Sequence, residues 1–146
     1  MLLIIQYLIV LFIVFLFLIF KGYKAKKELG VPLYYLYLGG DIGGRKPVYI
    51  KKGVVCGAPD CILFNPLLFR FVVCEFKSRN YTGSISLYEQ AQLCLYCGIL
   101  NKWYLPSPLG VISYGNGMTL KIEFDEKLFK KIYRLRNECQ KELNKF

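Results

Sequence analysis

The sequence predicts an α/β protein in which a mixed β-sheet is flanked by helices and preceded by one transmembrane helix. Three observations favour this fold class. The first 20 residues are almost all apolar, short β-branched and aromatic runs fill the middle of the chain, and two segments with helical start signals lie among and after those runs. The 146 residues are enough for one domain of ordinary size behind such a helix.

The apolar segment runs from Leu2 to Phe20 and is interrupted only by Gln6 and the weakly polar Tyr7. About 20 apolar residues are what an α-helix needs to cross the hydrocarbon core of a bilayer. A cleaved signal peptide has a positive charge before the apolar run and a small-residue cleavage site after it, and this segment has neither. We therefore predict an uncleaved membrane anchor.

Basic residues follow the anchor at once, at Lys21, Lys24, Lys26 and Lys27. Because positive residues beside a span stay on the cytoplasmic side, we expect a single-pass protein with its N-terminus outside and its catalytic domain in the cytoplasm. The same lysines suit contact with lipid headgroups. The predicted organisation is a transmembrane anchor over residues 1–20, a basic juxtamembrane segment over 21–30 and one domain over 31–146.

Charge is confined to the part of the chain after the anchor, where 20 Lys and Arg residues against 10 Asp and Glu residues give a formal net charge of +10. A domain this basic favours nucleic acid or anionic lipid as a partner, although a well-hydrated surface explains the charge equally simply. Of the six cysteines only Cys94 and Cys97 have CxxC spacing, and the chain has no histidine. We therefore expect single buried thiols and no iron–sulfur cluster or zinc site.

Turn residues divide the region before residue 80 into four predicted strands. The last of them alternates little between apolar and polar residues and is predicted to be buried on both faces. In chain order the four segments are PLYYLYLGG, VYIKKGVV with a kink at Gly53, PDCILF and LLFRFVVCEFK.

Helical signals follow in SISLYEQAQLCLYCGIL, where either Ser84 or Ser86 caps the helix and Glu89 stands in the capping-box position after Ser86. The sequence then predicts a strand in KWYLP and a hairpin in GVISYGNGMTLKIEF, with Gly-Asn-Gly as its turn. Asp125 is the expected cap of a final helix, which has one apolar and one basic face.

Glu75 and Lys77 are the first candidates for chemistry, at the end of the buried strand. Because side chains alternate along a strand, these two lie on one face and Cys74 and Phe76 lie on the other. Buried charges are unfavourable unless they are paired. Either the two residues form an ion pair at a frayed strand end, or Glu75 holds a divalent cation with Lys77 beside the reacting oxygen.

Asp60, on the preceding short strand, is the second candidate acid. If the two strands pair antiparallel, Asp60 and Glu75 can share one Mg²⁺ or Mn²⁺ ion, with the backbone carbonyl of Phe76 as a further oxygen ligand. Such a cation lowers the pKa of a bound water and polarises a phosphate. Lys77 then orients that water or stabilises the developing charge.

The series Pro-Asp60, Glu75-Phe76-Lys77 resembles the PD-(D/E)XK nuclease signature. The helix adds QLCLY, which resembles the Gln-x-x-x-Tyr motif of the RecB-like branch, a group that includes the CRISPR-associated exonucleases of the Cas-four type. The final hairpin and helix are also similar to those exonucleases, so the resemblance covers about residues 54–143. It implies a restriction-endonuclease-like fold and catalytic roles for Asp60, Glu75, Lys77, Gln92 and Tyr96.

This chain departs from the family pattern in four respects. Many members have a metal-binding histidine upstream of the Asp, and this chain has none. Glu28 is the nearest candidate for an acid from an N-terminal helix, although a solvated surface position explains it better. Only Cys139 lies where the family's C-terminal cluster cysteines occur, and the anchor stands in place of much of the N-terminal helical region.

Together these features predict a membrane-anchored, Mg²⁺- or Mn²⁺-dependent nuclease that hydrolyses phosphodiester bonds of DNA rather than RNA. The alternatives are a catalytically weak or inactive nuclease-fold protein that binds nucleic acid at the membrane, and a small membrane protein whose basic face contacts lipid or a protein partner. The sequence does not decide whether a protein partner or a second copy of the chain holds the nucleic-acid strand. Further candidates for substrate contact, each with a surface or packing alternative, are Arg79, Lys102, Tyr81, Trp103 and Tyr104.

Overall fold

The computed structural model describes residues 2–42, 46–53 and 55–143 as four helices and seven strands. The predicted α/β class, with one apolar helix ahead of a mixed sheet, is confirmed. In chain order the elements are α1 (Leu2–Phe20), α2 (Tyr23–Glu28), β1 (Leu36–Gly40), β2 (Ile50–Lys52), β3 (Val55–Gly57), β4 (Cys61–Asn65), β5 (Arg70–Lys77), α3 (Leu87–Leu100), β6 (Leu109–Tyr114), β7 (Thr119–Glu123) and α4 (Glu126–Leu143).

The main sheet has five strands in the order β1-β4-β5-β6-β7. β5 and β6 are parallel and are joined through α3, while the other neighbours are antiparallel. The β4–β5 hairpin pairs Cys61 with Cys74, which is the antiparallel arrangement that the site hypothesis requires. This topology brings the start of β4 and the ends of β5 and β6 to one edge of the sheet.

Apolar clusters cover both faces of the sheet. On one face, α2 and the segment after it pack Ala25 and Leu29 against Cys74. On the other face, Leu93 and other residues of α3 pack against Val73. β5 is therefore buried on both faces, as its composition predicts, and its polar end carries the side chains of greatest chemical interest.

Two predicted strands are wrong. The segment around Gly53 is a small hairpin of β2 and β3 rather than one kinked strand, because Gly53 adopts a φ of 59° and turns the chain; Val54 lies outside the described residues. The KWYLP segment is a turn in which the N–H of Leu105 donates to the carbonyl of Lys102 at 3.1 Å. The prolines that follow cannot donate to a strand ladder.

The predicted N-terminal caps of α3 and α4 are confirmed. Ser86, rather than Ser84, caps α3: its hydroxyl accepts from the N–H of Glu89 at 3.2 Å, while its own N–H donates to the Glu89 carboxylate at 3.0 Å. Asp125 caps α4 through hydrogen bonds from the N–H groups of Lys127 and Leu128. The predicted final hairpin is formed by β6 and β7.

The first helix is long and apolar enough to cross a membrane: residues 3–20 have a mean hydropathy of 3.1 and none of them is buried. Lys26 is unlike the other juxtamembrane lysines, because it is fully buried and donates to the carbonyls of Ile19 at 2.7 Å and Leu33 at 2.9 Å. Its expected contact with lipid headgroups is therefore wrong. Lys26 instead joins the end of α1 to the segment that precedes β1.

Candidate active site

Asp60 and Glu75 lie side by side at the shared edge of β4 and β5. The register pairs Cys61 with Cys74, so these two acids are the next neighbours across the hairpin. Oδ2 of Asp60 accepts a hydrogen bond of 2.7 Å from the N–H of Phe76, which holds the Asp60 carboxylate against the end of β5. Phe76 thus contacts the site through its amide, while the role predicted for its carbonyl stays a prediction.

Glu75 is almost fully buried, with 3% of its surface exposed, although it carries a carboxylate. Oε2 lies 3.2 Å from Nζ of Lys77, whereas Oε1 is buried without any hydrogen-bond partner among the residues that the structure describes. Burial and, after it, the negative charge of Asp60 raise the pKa of Glu75 to about 7 against the opposing effect of Lys77. The two acids are therefore close enough to repel each other.

The carboxylate of Asp60 is also perturbed. Burial raises its pKa, the hydrogen bond from Phe76 opposes that change, and the charge of Asp41 raises the pKa further. The hydrogen bond from Phe76 is made to Oδ2 of Asp60, which leaves Oδ1 as the other oxygen of this carboxylate. The edge of the sheet thus presents Oε1 of Glu75, which is buried without a hydrogen-bond partner among the described residues, beside the carboxylate of Asp60.

Lys77 is held by a chain of hydrogen bonds that ends on α3. Its Nζ lies 3.1 Å from Oε1 of Gln92, and Nε2 of Gln92 donates to the hydroxyl of Tyr96 at 3.1 Å. The i, i+4 spacing puts both α3 residues on the helix face that looks toward β5. The five residues predicted as catalytic are therefore brought together in one connected group.

Gly57 explains how the Gly-x-Pro-Asp segment reaches that group. A Cβ atom added at Gly57 would overlap the ring of Tyr96, so the chain passes α3 closely only because this residue has no side chain. Pro59, two residues later, is fully buried. The approach of Asp60 to the site is thus fixed by packing against α3.

Asp41 is a residue near the site that sequence reasoning missed. It follows β1, and its N–H donates to the backbone carbonyl of Asp60 at 3.0 Å. Gly40 permits this contact, because a Cβ there would overlap the Asp60 backbone; the Gly-Gly pair before an acid was the available signal. No three His, Cys, Asp or Glu side chains within the described ranges form a metal-holding group. Asp41 lies close enough to Asp60 for its charge to raise the pKa of that carboxylate. Glu28 is exposed, in agreement with its surface interpretation.

Arg79 supports α3 through an ion pair with Glu89, while its predicted contact with phosphate stays a prediction. Its guanidinium lies 2.6 Å from the carboxylate of Glu89 and 5.0 Å from the centre of the Tyr114 ring. Burial acts to raise the pKa of Glu89, but hydrogen bonds from Arg79 and Ser86 outweigh it and lower that pKa to about 2. This network fixes the first turn of α3 beside Lys77.

The remaining candidates lie away from the carboxylates or are buried. Tyr81 packs on Tyr114 at 5.2 Å, as the packing alternative predicts. Trp103 is 95% exposed, so of its two alternatives the structure favours a surface position over a core position; it precedes the start of β6, at the sheet edge opposite the site. Burial raises the pKa of Cys94 to about 11 and that of Cys97 to about 12, so both thiols stay protonated near neutral pH.

Comparisons with known proteins add little to this geometry. No protein-family model and no curated protein matches the chain. The chain is similar to a crystal structure of a protein designated SSO0001, with 19% sequence identity and a TM-score of 0.33. The similarity covers 62% of this chain and 48% of that one, so the chain spans about half the length of that protein. A similarity this weak carries no information about chemistry.

Proposed function

We propose that this protein is a divalent-cation-dependent nuclease of the PD-(D/E)XK type that hydrolyses phosphodiester bonds of DNA. The observation that carries the proposal is the buried, unpartnered Oε1 of Glu75 beside the carboxylate of Asp60. A buried carboxylate oxygen without a donor is unfavourable, and a cation between the two acids removes both the missing contact and the repulsion.

The residues present fit Mg²⁺ or Mn²⁺. Oδ1 of Asp60 and Oε1 of Glu75 would hold the cation, with the carbonyl of Phe76 as a further oxygen and water at the other positions. When bound, the cation supplies a water of lowered pKa and polarises a phosphate oxygen. The hydrogen bond from the Phe76 N–H keeps Asp60 in place for this role.

Lys77 assists the reaction with its remaining donor. Its ammonium has three N–H groups, of which Glu75 and Gln92 each accept one, so one is left for the attacking water or a phosphate oxygen. The side chain is 22% exposed, which lets a strand reach it from solvent. Gln92 and Tyr96 position the ammonium and do not need to touch the substrate.

The order and direction of the strands support a restriction-endonuclease-like fold, which is the fold that the proposed nuclease activity requires. Acids on two strands of one hairpin, a helix that crosses to a parallel strand, and a closing hairpin are the arrangement expected of a restriction-endonuclease-like sheet. The net charge of +10 favours a polyanionic substrate. The choice of DNA over RNA is supported by the family resemblance of the motifs.

The proposed location is the cytoplasmic face of a membrane, with α1 as a single-pass anchor and the N-terminus outside. The length and hydropathy of α1 and the lysines after it support this topology.

A second candidate function is binding of nucleic acid at the membrane without efficient cleavage. The absence of histidine from the sequence favours it, because the two carboxylates then lack an imidazole ligand.

Cleavage assays on the full chain in detergent micelles separate these functions. We expect the wild type to degrade labelled DNA with Mn²⁺ and to stop when a chelator is added. Glu75→Gln and Lys77→Ala should each lose at least about a hundredfold in rate. Glu123→Gln makes the same acid-to-amide change at an exposed ion pair with Arg70 and should cleave normally. Salt-sensitive binding without cleavage would favour the second function, and cleavage by Glu75→Gln at the wild-type rate would contradict the first.

A further inference from the structure

A groove opens beside Lys77, between the end of β5 and the first turn of α3. Its volume is about 320 Å³, which is at the lower end of the range for small-molecule sites. Phe76, Lys77, Arg79 and Tyr88 line it among others. The groove is therefore continuous with the carboxylate site through Lys77.

Two of the groove residues are aromatic and keep part or most of their surface exposed. Tyr88 is 75% exposed on the first turn of α3, and Phe76 is 39% exposed at the end of β5. Tyr81, by contrast, packs on Tyr114, with ring centres 5.2 Å apart. Exposed aromatic rings beside a basic group are what a single nucleotide needs, because every base has an apolar face that can stack.

The groove is rigid and does not repel phosphate. Arg79 neutralises the single acid in its wall, Glu89, through the ion pair of 2.6 Å. The same pair and the Ser86 capping box hold the turn that carries Tyr88. The ring of Tyr88 is thus attached to a fixed backbone, which limits the entropy lost when a base binds.

We propose that Tyr88 forms a stacking subsite for the base of the nucleotide next to the phosphodiester at Lys77. The inference rests on the proposed function, and it adds that this nucleotide is unpaired, since a base within a duplex is already stacked on both faces. Tyr88 is accordingly a residue that sets specificity for strand structure and has no part in the chemical step.

A double-mutant cycle between protein and strand tests the subsite. Fluorescence anisotropy measures binding of the full chain in micelles to a labelled single-stranded oligonucleotide, and to strands that lack one base at each position in turn, with Ca²⁺ in place of Mn²⁺. We expect Tyr88→Ala to weaken binding of the intact strand about tenfold. Tyr88→Phe should bind normally, and so should Tyr104→Ala, which removes an exposed aromatic ring at the opposite edge of the sheet.

The decisive result is coupling between the ring and one base. At one position, removal of the base should weaken wild-type binding by the same factor, and Tyr88→Ala should then have no further effect. Equal binding by Tyr88→Ala, additive losses at every position, or no binding by the wild type would overturn the subsite. Cleavage with Mn²⁺ is scored separately: coupling without cleavage contradicts the nuclease alone, and cleavage without coupling contradicts the subsite alone.

Discussion

Glu75 combines features that are rare in a residue of purely structural role. Its carboxylate is buried, one oxygen has no partner within the described part of the chain, and a second acid lies beside it. Lys77 satisfies the other oxygen only. An ion pair at a frayed strand end, the simpler alternative, explains Oε2 but leaves Oε1 and Asp60 unexplained.

Mn²⁺ should therefore stabilise the folded protein, and Glu75 should be necessary for that effect. At about a hundredfold excess over Kd, binding stabilises by about 2.7 kcal/mol, which raises the Tm of a domain this size on the order of 5–10 °C. Glu75→Gln should show no such rise, because the amide is a poorer cation ligand. Differential scanning fluorimetry in micelles measures the shift, with Glu123→Gln as the matched control. A full rise in Glu75→Gln would place the cation elsewhere.

Sequence alone predicted which candidate residues lie together better than it predicted their surroundings. The order of Asp60, Glu75 and Lys77 and the i, i+4 pair on α3 depend on local spacing, which a sequence displays directly. Asp41 was missed because its approach to Asp60 depends on which strands become neighbours, and that pairing joins residues distant in sequence. A surface and a packed position both stayed open for Trp103, because apolar character alone cannot distinguish an exposed turn from a core position.

Among the helices and strands, those whose ends are fixed by residues close in sequence were predicted best. The capping box and the Gly-Asn-Gly hairpin were predicted because they are stabilised by residues a few positions apart. The Gly53 segment was mistaken for one strand, since β2 and β3 are only three residues each and the turn between them is short. Packing of the β2–β3 hairpin on α3 required Gly57 to lack a side chain, and only the structure makes that reason visible.

The N-terminus of α3 provides a test of the capping interpretation. Ser86→Ala should lower the free energy of unfolding by about 1 kcal/mol, because the N–H of Glu89 loses its acceptor. Ser84→Ala removes the same hydroxyl two residues earlier, at an exposed position, and should change stability little. Chemical denaturation in micelles compares the two. A larger loss in Ser84→Ala would mean that the helix begins earlier.

The same element should lose stability in acid. Because the pKa of Glu89 in the folded protein is about 2, below its ordinary value of 4.5, the folded state binds fewer protons than the unfolded state. The contribution of Glu89 is therefore complete above pH 4.5 and declines as pH falls toward 2. Unfolding free energies between pH 6 and pH 3 should fall more steeply for wild type than for Glu89→Gln. Parallel curves for the two proteins would show that the Arg79 pair does not stabilise the charged form.

The predicted side of the membrane on which the domain lies can be tested through the accessibility of the cysteines. Cys56 is exposed, whereas Cys61, Cys74, Cys94 and Cys97 are buried. A membrane-impermeant maleimide should label the protein only after cells are permeabilised, because the domain is predicted to lie in the cytoplasm. Cys56→Ser identifies the labelled thiol. Labelling of Cys56 in intact cells would reverse the topology.

The buried Lys26 limits how far the domain can move relative to α1. Only Lys21 and Gly22 separate α1 from α2, and Lys26 fastens the last turn of α1 to the carbonyl of Leu33. The first helix is therefore attached to the domain rigidly and not through a flexible linker. If α1 spans a bilayer, Glu75 stays at a fixed distance from the lipid surface, and only nucleic-acid strands at that distance can reach it.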